Sequence, residues 1–227
     1  MIAFVAGSTG YTGRAIVPQL CTNHQCIAHI RPNSPSIEAK ESFLKVGAVV
    51  DQSPWQLEAL SATLQKYQPD VLFSLLGTTK KRNRQDPSSS YSTVDRDLTL
   101  LLYQAACALT NKPTFVYLSS MGAEKPTGAY LKARYEVEQV LLTGELPYII
   151  ARPGFISGPD RLDFRLLERA ACVASDSVLS VLALLGQSSL QHRFGSLSAT
   201  QLAAGLIEHS SKSQNTILYT SDLRLSS

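Results

Sequence analysis

Short apolar runs rich in β-branched residues recur along the chain, each followed by a longer stretch in which apolar residues return every three to four positions. The runs are Ile2 to Ala6, Cys26 to Ile30, Ala48 to Val50, Asp70 to Leu76, Thr114 to Leu118 and Pro147 to Ala151, with a late one at Thr216 to Thr220. Helical periodicity covers 11–23, 54–67, 92–110 and 129–143, and a weaker stretch at 36–45 follows the turn sequence Pro32-Asn33-Ser34-Pro35. This alternation predicts an α/β protein with a doubly wound parallel sheet, since strands apolar on both sides must be covered on both faces. After Arg152-Pro153-Gly154 the alternation stops, and 161–186 reads as one long or broken apolar helix and 198–209 as a shorter one. Residues 154–227, about 74 in number, are too few for an independent catalytic domain. The expectation is therefore a single domain over 1–227, with 154–227 supplying a small helical cap at the carboxyl edge of the sheet, where such folds place ligands.

Composition narrows the function classes. A hydrophobic share of 44% and a charged share of 17% fit a packed globular chain and not a polyelectrolyte. A net charge of +3 gives no general affinity for nucleic acid, and the one basic cluster, Lys80, Lys81, Arg82 and Arg84, reads as a solvated loop or as the anion-attracting mouth of a site. The four cysteines, Cys21, Cys26, Cys107 and Cys172, form no C-x-x-C pair, and neither they nor the histidines have metal-ligand spacing, so they read as small core residues and no metal site is expected. The apolar run at Ile2 to Ala6 is too short for a signal peptide, and Val178 to Leu185 is far short of the ~20 residues that span a bilayer. A cytoplasmic protein with no membrane and no nucleic-acid partner is expected.

The segment Gly7-Ser8-Thr9-Gly10-Tyr11-Thr12-Gly13-Arg14 directly follows the first strand and opens the first helix. In that setting a glycine-rich turn is a phosphate cradle: Gly7 permits the tight turn, Gly10 lets backbone approach a pyrophosphate, and Gly13 lets helix and strand pack closely. Free N–H groups at the helix start would face the phosphates, which makes the sheet Rossmann-type. At the end of the second strand an acid would bind the ribose 2′-OH of NAD, whereas a cation would meet the 2′-phosphate of NADP. The residue there is Arg31, with Arg14 and Ser34 placed to assist, so NADP(H) is expected over NAD(H). Asp51, after the third strand, could accept from an adenine amino group or simply end a strand. Gly77-Thr78-Thr79 leaves the fourth strand, either beside the nicotinamide half or as a plain exit turn.

Taken together, Gly7 to Gly13, Leu76-Gly77-Thr78-Thr79, Val94-Asp95-Arg96-Asp97, Leu118-Ser119-Ser120-Met121-Gly122-Ala123, Tyr130-Leu131 with Glu136-Val137-Glu138, and Arg152-Pro153-Gly154 resemble the atypical short-chain dehydrogenase/reductases, in particular the Tat-interacting-protein branch. The resemblance covers residues 1 to about 160. It implies a serine at the end of the fifth strand, Ser120 or Ser119, and a tyrosine on the next helix, Tyr130, working on a carbonyl or alcohol with a hydride carried by the cofactor. A phenol ionises near pH 10 and needs a cation to act as a base near neutrality. Where the superfamily has lysine four residues after the tyrosine, this chain has Arg134, which shares a helix face with Tyr130. The resulting expectation is an NADP-dependent oxidoreductase for a small carbonyl or alcohol, monomeric or dimeric. A non-catalytic NADPH-binding regulatory or sensor protein is the alternative, and a nucleotide-sugar epimerase or dehydratase comes third. Pro153 is expected to border the cofactor.

Overall fold

The structure is a computed structural model, and it describes residues 1–32, 37–78, 90–157, 196–212 and 214–224. The chain runs β1 (Ile2–Ala6), α1 (Tyr11–Leu20), β2 (Gln25–His29), α2 (Ile37–Lys45), β3 (Val49–Asp51), α3 (Leu57–Tyr67), β4 (Val71–Ser74), a π-helical segment (Tyr91–Asp97) that continues into α4 (Leu98–Cys107), β5 (Thr114–Leu118), α5 (Gly128–Thr143), β6 (Tyr148–Arg152), β7 (Ile156–Ser157), β8 (Leu197–Ser198), α6 (Ala199–Lys212) and β9 (Thr216–Tyr219). All seven strands and every helix expected within the described residues form, including the weak one at 36–45.

Seven parallel strands lie in the order β3-β2-β1-β4-β5-β6-β9. The sheet is buried on both faces because alternate side chains feed two separate cores. Ala3 and Val5 of β1 join Ile16 and Leu20 of α1, Phe43 of α2 and Leu202 and Leu206 of α6. Phe4 and Ala6 join Leu60 and Leu64 of α3, Leu102 of α4 and Val137 and Leu141 of α5. The order reverses between β1 and β4, so the crevice of a doubly wound sheet opens over those two strand ends.

The described tail is built into this body. Leu202, Ala203 and Leu206 form a stripe with no solvent exposure, which seats α6 beside α1, and Gln19 Nε2 donates to Thr200 O at 3.3 Å. β9 then extends the sheet beside β6. Helix 198–209, read from sequence as part of a cap, is thus a covering helix of the sheet: it packs through a full apolar stripe, and no spacing rule tells a cap helix from a layer helix. The expected helix at 161–186 lies outside the described residues. Among the described residues no helix is long and apolar enough to cross a membrane.

Candidate functional site

The first βα turn is shaped by its glycines. Gly7 has φ +82°, and a Cβ there would lie 2.7 Å from Leu75 O on the neighbouring strand exit. A Cβ on Gly13 would sit 2.3 Å from Gly7 O and 2.4 Å from Ser8 O, so only glycine lets α1 start this close to β1. Gly10 N–H donates to Gly7 O at 3.0 Å, which closes the turn, and Gly10 precedes the helix with extended backbone. No side chain caps α1, so its first turn presents backbone N–H groups at the carboxyl edge of the sheet. This is the fit expected for a dinucleotide pyrophosphate: a cradle that side chains would fill, ahead of an uncapped helix end.

Residues expected around that cradle divide into braces and exposed groups. Ser8 is buried and donates its hydroxyl to His29 O at 2.6 Å, which locks the turn to the end of β2. Thr12 is buried in the helix underside. The Tyr11 hydroxyl reaches Ser157 O on β7 at 3.0 Å. Arg14 is exposed and donates Nε to Thr9 O at 3.0 Å, so a cation stands beside the turn. Arg31 is exposed just past β2, on the same side as Asp51 at the end of β3. Asp51 commits Oδ2 to the Ser53 N–H and hydroxyl at 3.1 and 2.6 Å. Ser34 and Thr79 lie outside the described residues, as do Lys80, Lys81, Arg82 and Arg84.

Across the crevice, two buried ion pairs flank the end of β5. In the first, Arg134 Nη2 donates to Asp95 Oδ1 at 2.7 Å and to Leu76 O at 3.1 Å, while Nη1 donates to Leu118 O at 2.6 Å and Tyr117 Oη at 3.3 Å. The other oxygen of Asp95 accepts the Thr78 N–H at 2.8 Å. Burial pushes the Asp95 carboxyl above its ordinary value, against the pull of Arg134 and of that N–H, and burial pushes the Tyr117 phenol up to about 12. Thr78 Oγ1 is buried and has no partner among the described residues, as has Arg134 Nε. A buried hydroxyl left orphaned at the exit of β4, the strand beside β1, fits a ligand group as its missing partner.

In the second pair, Glu138, fully buried, accepts from Arg152 Nε at 3.0 Å and Nη2 at 2.6 Å. Glu138 also accepts the Ser119 hydroxyl at 2.5 Å. Ser119 is therefore part of a brace. Period-2 alternation carries the reason: Phe115, Tyr117 and Ser119 point to the α5 side of the sheet. Ser120 is half-buried, with one long contact to Met121 O at 3.4 Å, which leaves its hydroxyl available. Pro153 is buried and its carbonyl accepts Met121 N–H at 3.0 Å, fixing the β5 exit.

Tyr130, half-buried, sits over Arg134, whose guanidinium carbon is 5.3 Å from the ring centroid. Tyr91, from the π-helical segment, meets Tyr130 edge-on with centroids 5.3 Å apart, and burial followed by the nearness of Asp95 and Tyr130 raises its phenol. Of the expected catalytic set, Tyr130, Arg134 and Ser120 thus gather at the carboxyl edge. The sequence motifs include Asp95, Glu138 and Arg152 without giving them a role as braces, and nothing in them points to the aromatic wall Tyr91. The available signal was charge at core-facing positions of α5, where Arg134 and Glu138 sit among Ala133, Val137 and Leu141.

Comparison with known proteins agrees with this geometry. A family model described as NAD(P)H-binding matches residues 7–181. No curated protein matches the chain. Among solved structures, the UDP-glucose 4-epimerase of Thermotoga maritima with UDP-glucose has TM-score 0.67 at 17% identity, covering 96% of this chain and 75% of its own. The UDP-glucose 4-epimerase of Brucella ovis in complex with NAD has TM-score 0.65 at 16% identity, covering 96% and 76%. That of Thermus thermophilus, also with NAD, has TM-score 0.65 at 14% identity, covering 98% and 81%. At these identities the likeness is one of fold. With three quarters of its length matched by the family model and a glycine cradle at the switch of a doubly wound parallel sheet, the chain belongs to the NAD(P)H-binding family.

Proposed function

We propose that the chain is an NADP(H)-dependent oxidoreductase for a small carbonyl or alcohol, of the atypical short-chain type that its motifs resemble in the Tat-interacting-protein branch. The observation that carries the reading is that Tyr130 lies against Arg134, which holds Leu118 O at the end of β5 just before Ser120, on the carboxyl edge of the parallel sheet whose first strand leads into the glycine cradle. When bound, the cofactor supplies or accepts the hydride. The chain's own residues do the rest. Backbone N–H groups at the start of α1 hold the pyrophosphate, and Arg31, with Arg14 beside the turn, meets the 2′-phosphate. The Ser120 hydroxyl orients the substrate oxygen, and the Tyr130 hydroxyl gives or takes the proton at that oxygen.

A second reading is favoured by one observation. Four contacts of Arg134 go to Asp95, Leu76 O, Leu118 O and Tyr117, which leaves little of this cation to ionise Tyr130. On that reading the protein binds NADPH without turnover and reports occupancy to a partner. The fold-level likeness to sugar epimerases adds no weight to an epimerase.

Two measurements separate these. In thermal-shift titration, NADPH at about 100 times its Kd should add about 2.7 kcal/mol of stability by mass action, and Arg31→Ala should erase the preference over NADH. With a panel of small carbonyls, NADPH oxidation should fall at least about 100-fold in Tyr130→Phe while NADPH binding is kept. Turnover that survives in Tyr130→Phe removes this residue from the chemistry. NADPH binding with no turnover on any carbonyl selects the second reading, and no binding of either dinucleotide overturns both.

A further inference from the structure

The side chains around Gly77 and Thr78 form a closed circuit. Asp95 serves two donors, the Arg134 guanidinium through Oδ1 and the Thr78 N–H through Oδ2. Arg134 in turn holds the last carbonyls of two neighbouring strand exits, Leu76 O after β4 and Leu118 O at the end of β5. Gly77 makes room for this, since a Cβ there would stand 2.9 Å from Arg134 Nη2. Asp95 itself is held by the chain that presents it, its own carbonyl accepting the Thr99 hydroxyl at 3.0 Å. The result is a strand exit whose backbone is tied down from behind, while Thr78 Oγ1 is buried and unpartnered among the described residues.

Resting on the nucleotide reading above, we propose that Asp95 and Arg134 act as one positioning unit, which presents Thr78 at the β4 exit to the nicotinamide half of a bound dinucleotide. The placement follows from topology. A doubly wound sheet is two mononucleotide-binding halves, so with the phosphate turn on β1 and Arg31 after β2, the other nucleotide lies over β4 and β5. Arginine is the residue this task needs: its planar fork serves Asp95 and Leu76 O from one nitrogen and Leu118 O from the other, whereas an ammonium directs its three donors from a single shorter-reaching point and does not span both groups of acceptors. Arg134 thus stands where the superfamily has a lysine, with a different role, and returning it to lysine damages the site.

The test compares affinities for NADPH and for 2′,5′-ADP, its adenine half, by calorimetry on wild type, Asp95→Asn, Arg134→Lys and the charge-free double variant Asp95→Asn with Arg134→Met. The ratio is taken as NADH over ADP if the wild type prefers NADH. Wild type should bind the whole dinucleotide more tightly than the half. Each single variant should keep its affinity for the half within about twofold and lose about tenfold or more of its affinity for the whole. The double variant, with no buried charge left alone, should recover most of the Tm lost by the singles without recovering the ratio. A role confined to stability would move Tm and leave the ratio alone. If the single variants fail to fold, the double variant carries the comparison. An unchanged ratio in any folded variant, a double variant that restores it, or a wild type that binds half and whole equally overturns the proposal while the nucleotide site stands. A wild type that binds neither overturns the site and the proposal together.

Discussion

At the scale of the residue, His29 couples the end of β2 to solution pH. It is almost fully buried at the end of β2, its ring edge-on to Trp55 with centroids 4.8 Å apart and its Nε2 at 2.9 Å from Ser53 O. Burial lowers its pKa from the ordinary 6.5, and the Ser53 carbonyl and Asp51 offset only part of this. The neutral ring is therefore favoured in the folded state. Below about pH 6.5 the unfolded chain takes up a proton that the folded chain resists, so this contribution to stability is full above that pH and is lost as pH falls through the depressed folded value. Tm measured against pH should drop on the acid side of about 6.5 in wild type and drop less steeply in His29→Gln. Equal slopes in the two proteins would show that His29 does not carry the effect. Because the carbonyl of the same residue accepts the Ser8 hydroxyl, acid conditions should loosen the phosphate turn along with the fold.

At the scale of the element, α5 turns one inner face into a ladder. Tyr130, Arg134 and Glu138 stand four residues apart, so each rung serves a different depth of the site. The lowest rung is structural: removing the Glu138 charge leaves Arg152 buried with its main partner gone. Glu138→Gln should cost about 3–5 kcal/mol, or roughly 10 °C in Tm for a chain of this size, and a loss of under about 1 kcal/mol would show that Arg152 finds other compensation. The first two rungs were legible in the sequence, since a four-residue spacing needs only local geometry. The third was not, because its meaning lies in Arg152 on β6 and Ser119 on β5, partners that only the assembled sheet brings together. The strands were legible for the opposite reason, each being apolar on both faces and bounded by turn residues. The π-helical start of α4 escaped notice: an apolar helical period reports which face is buried and is blind to a turn widened by one residue where Asp95 is pinned from two sides. Strand alternation by itself separates Ser119 from Ser120, since it places Ser119 with Phe115 and Tyr117.

At the scale of the whole molecule, the crevice and the two ion-pair braces share one edge because all seven strands run parallel, and the crevice falls where the strand order reverses between β1 and β4. Placing them there needs no special device beyond short, parallel connections. The small ladder of β7 and β8 has a different consequence. Ile156 and Ser157 pair with Leu197 and Ser198, Leu197 N–H donates to Phe155 O at 2.9 Å, and Ser157 O is held by Tyr11 from the start of α1. Both stumps of the intervening stretch are thereby anchored next to each other on the body of the protein. Excising residues 160–193 and bridging the gap with a flexible linker of about ten residues should leave a chain that folds and still binds dinucleotide, because closing a loop of that length costs little more entropy than closing any other. A truncated protein that no longer folds would show the stretch to be part of the core. If the truncated chain does fold, the paired stumps alone close the body of the protein, and whatever is spliced between them is free to vary in length and sequence while the nucleotide half stays unaltered.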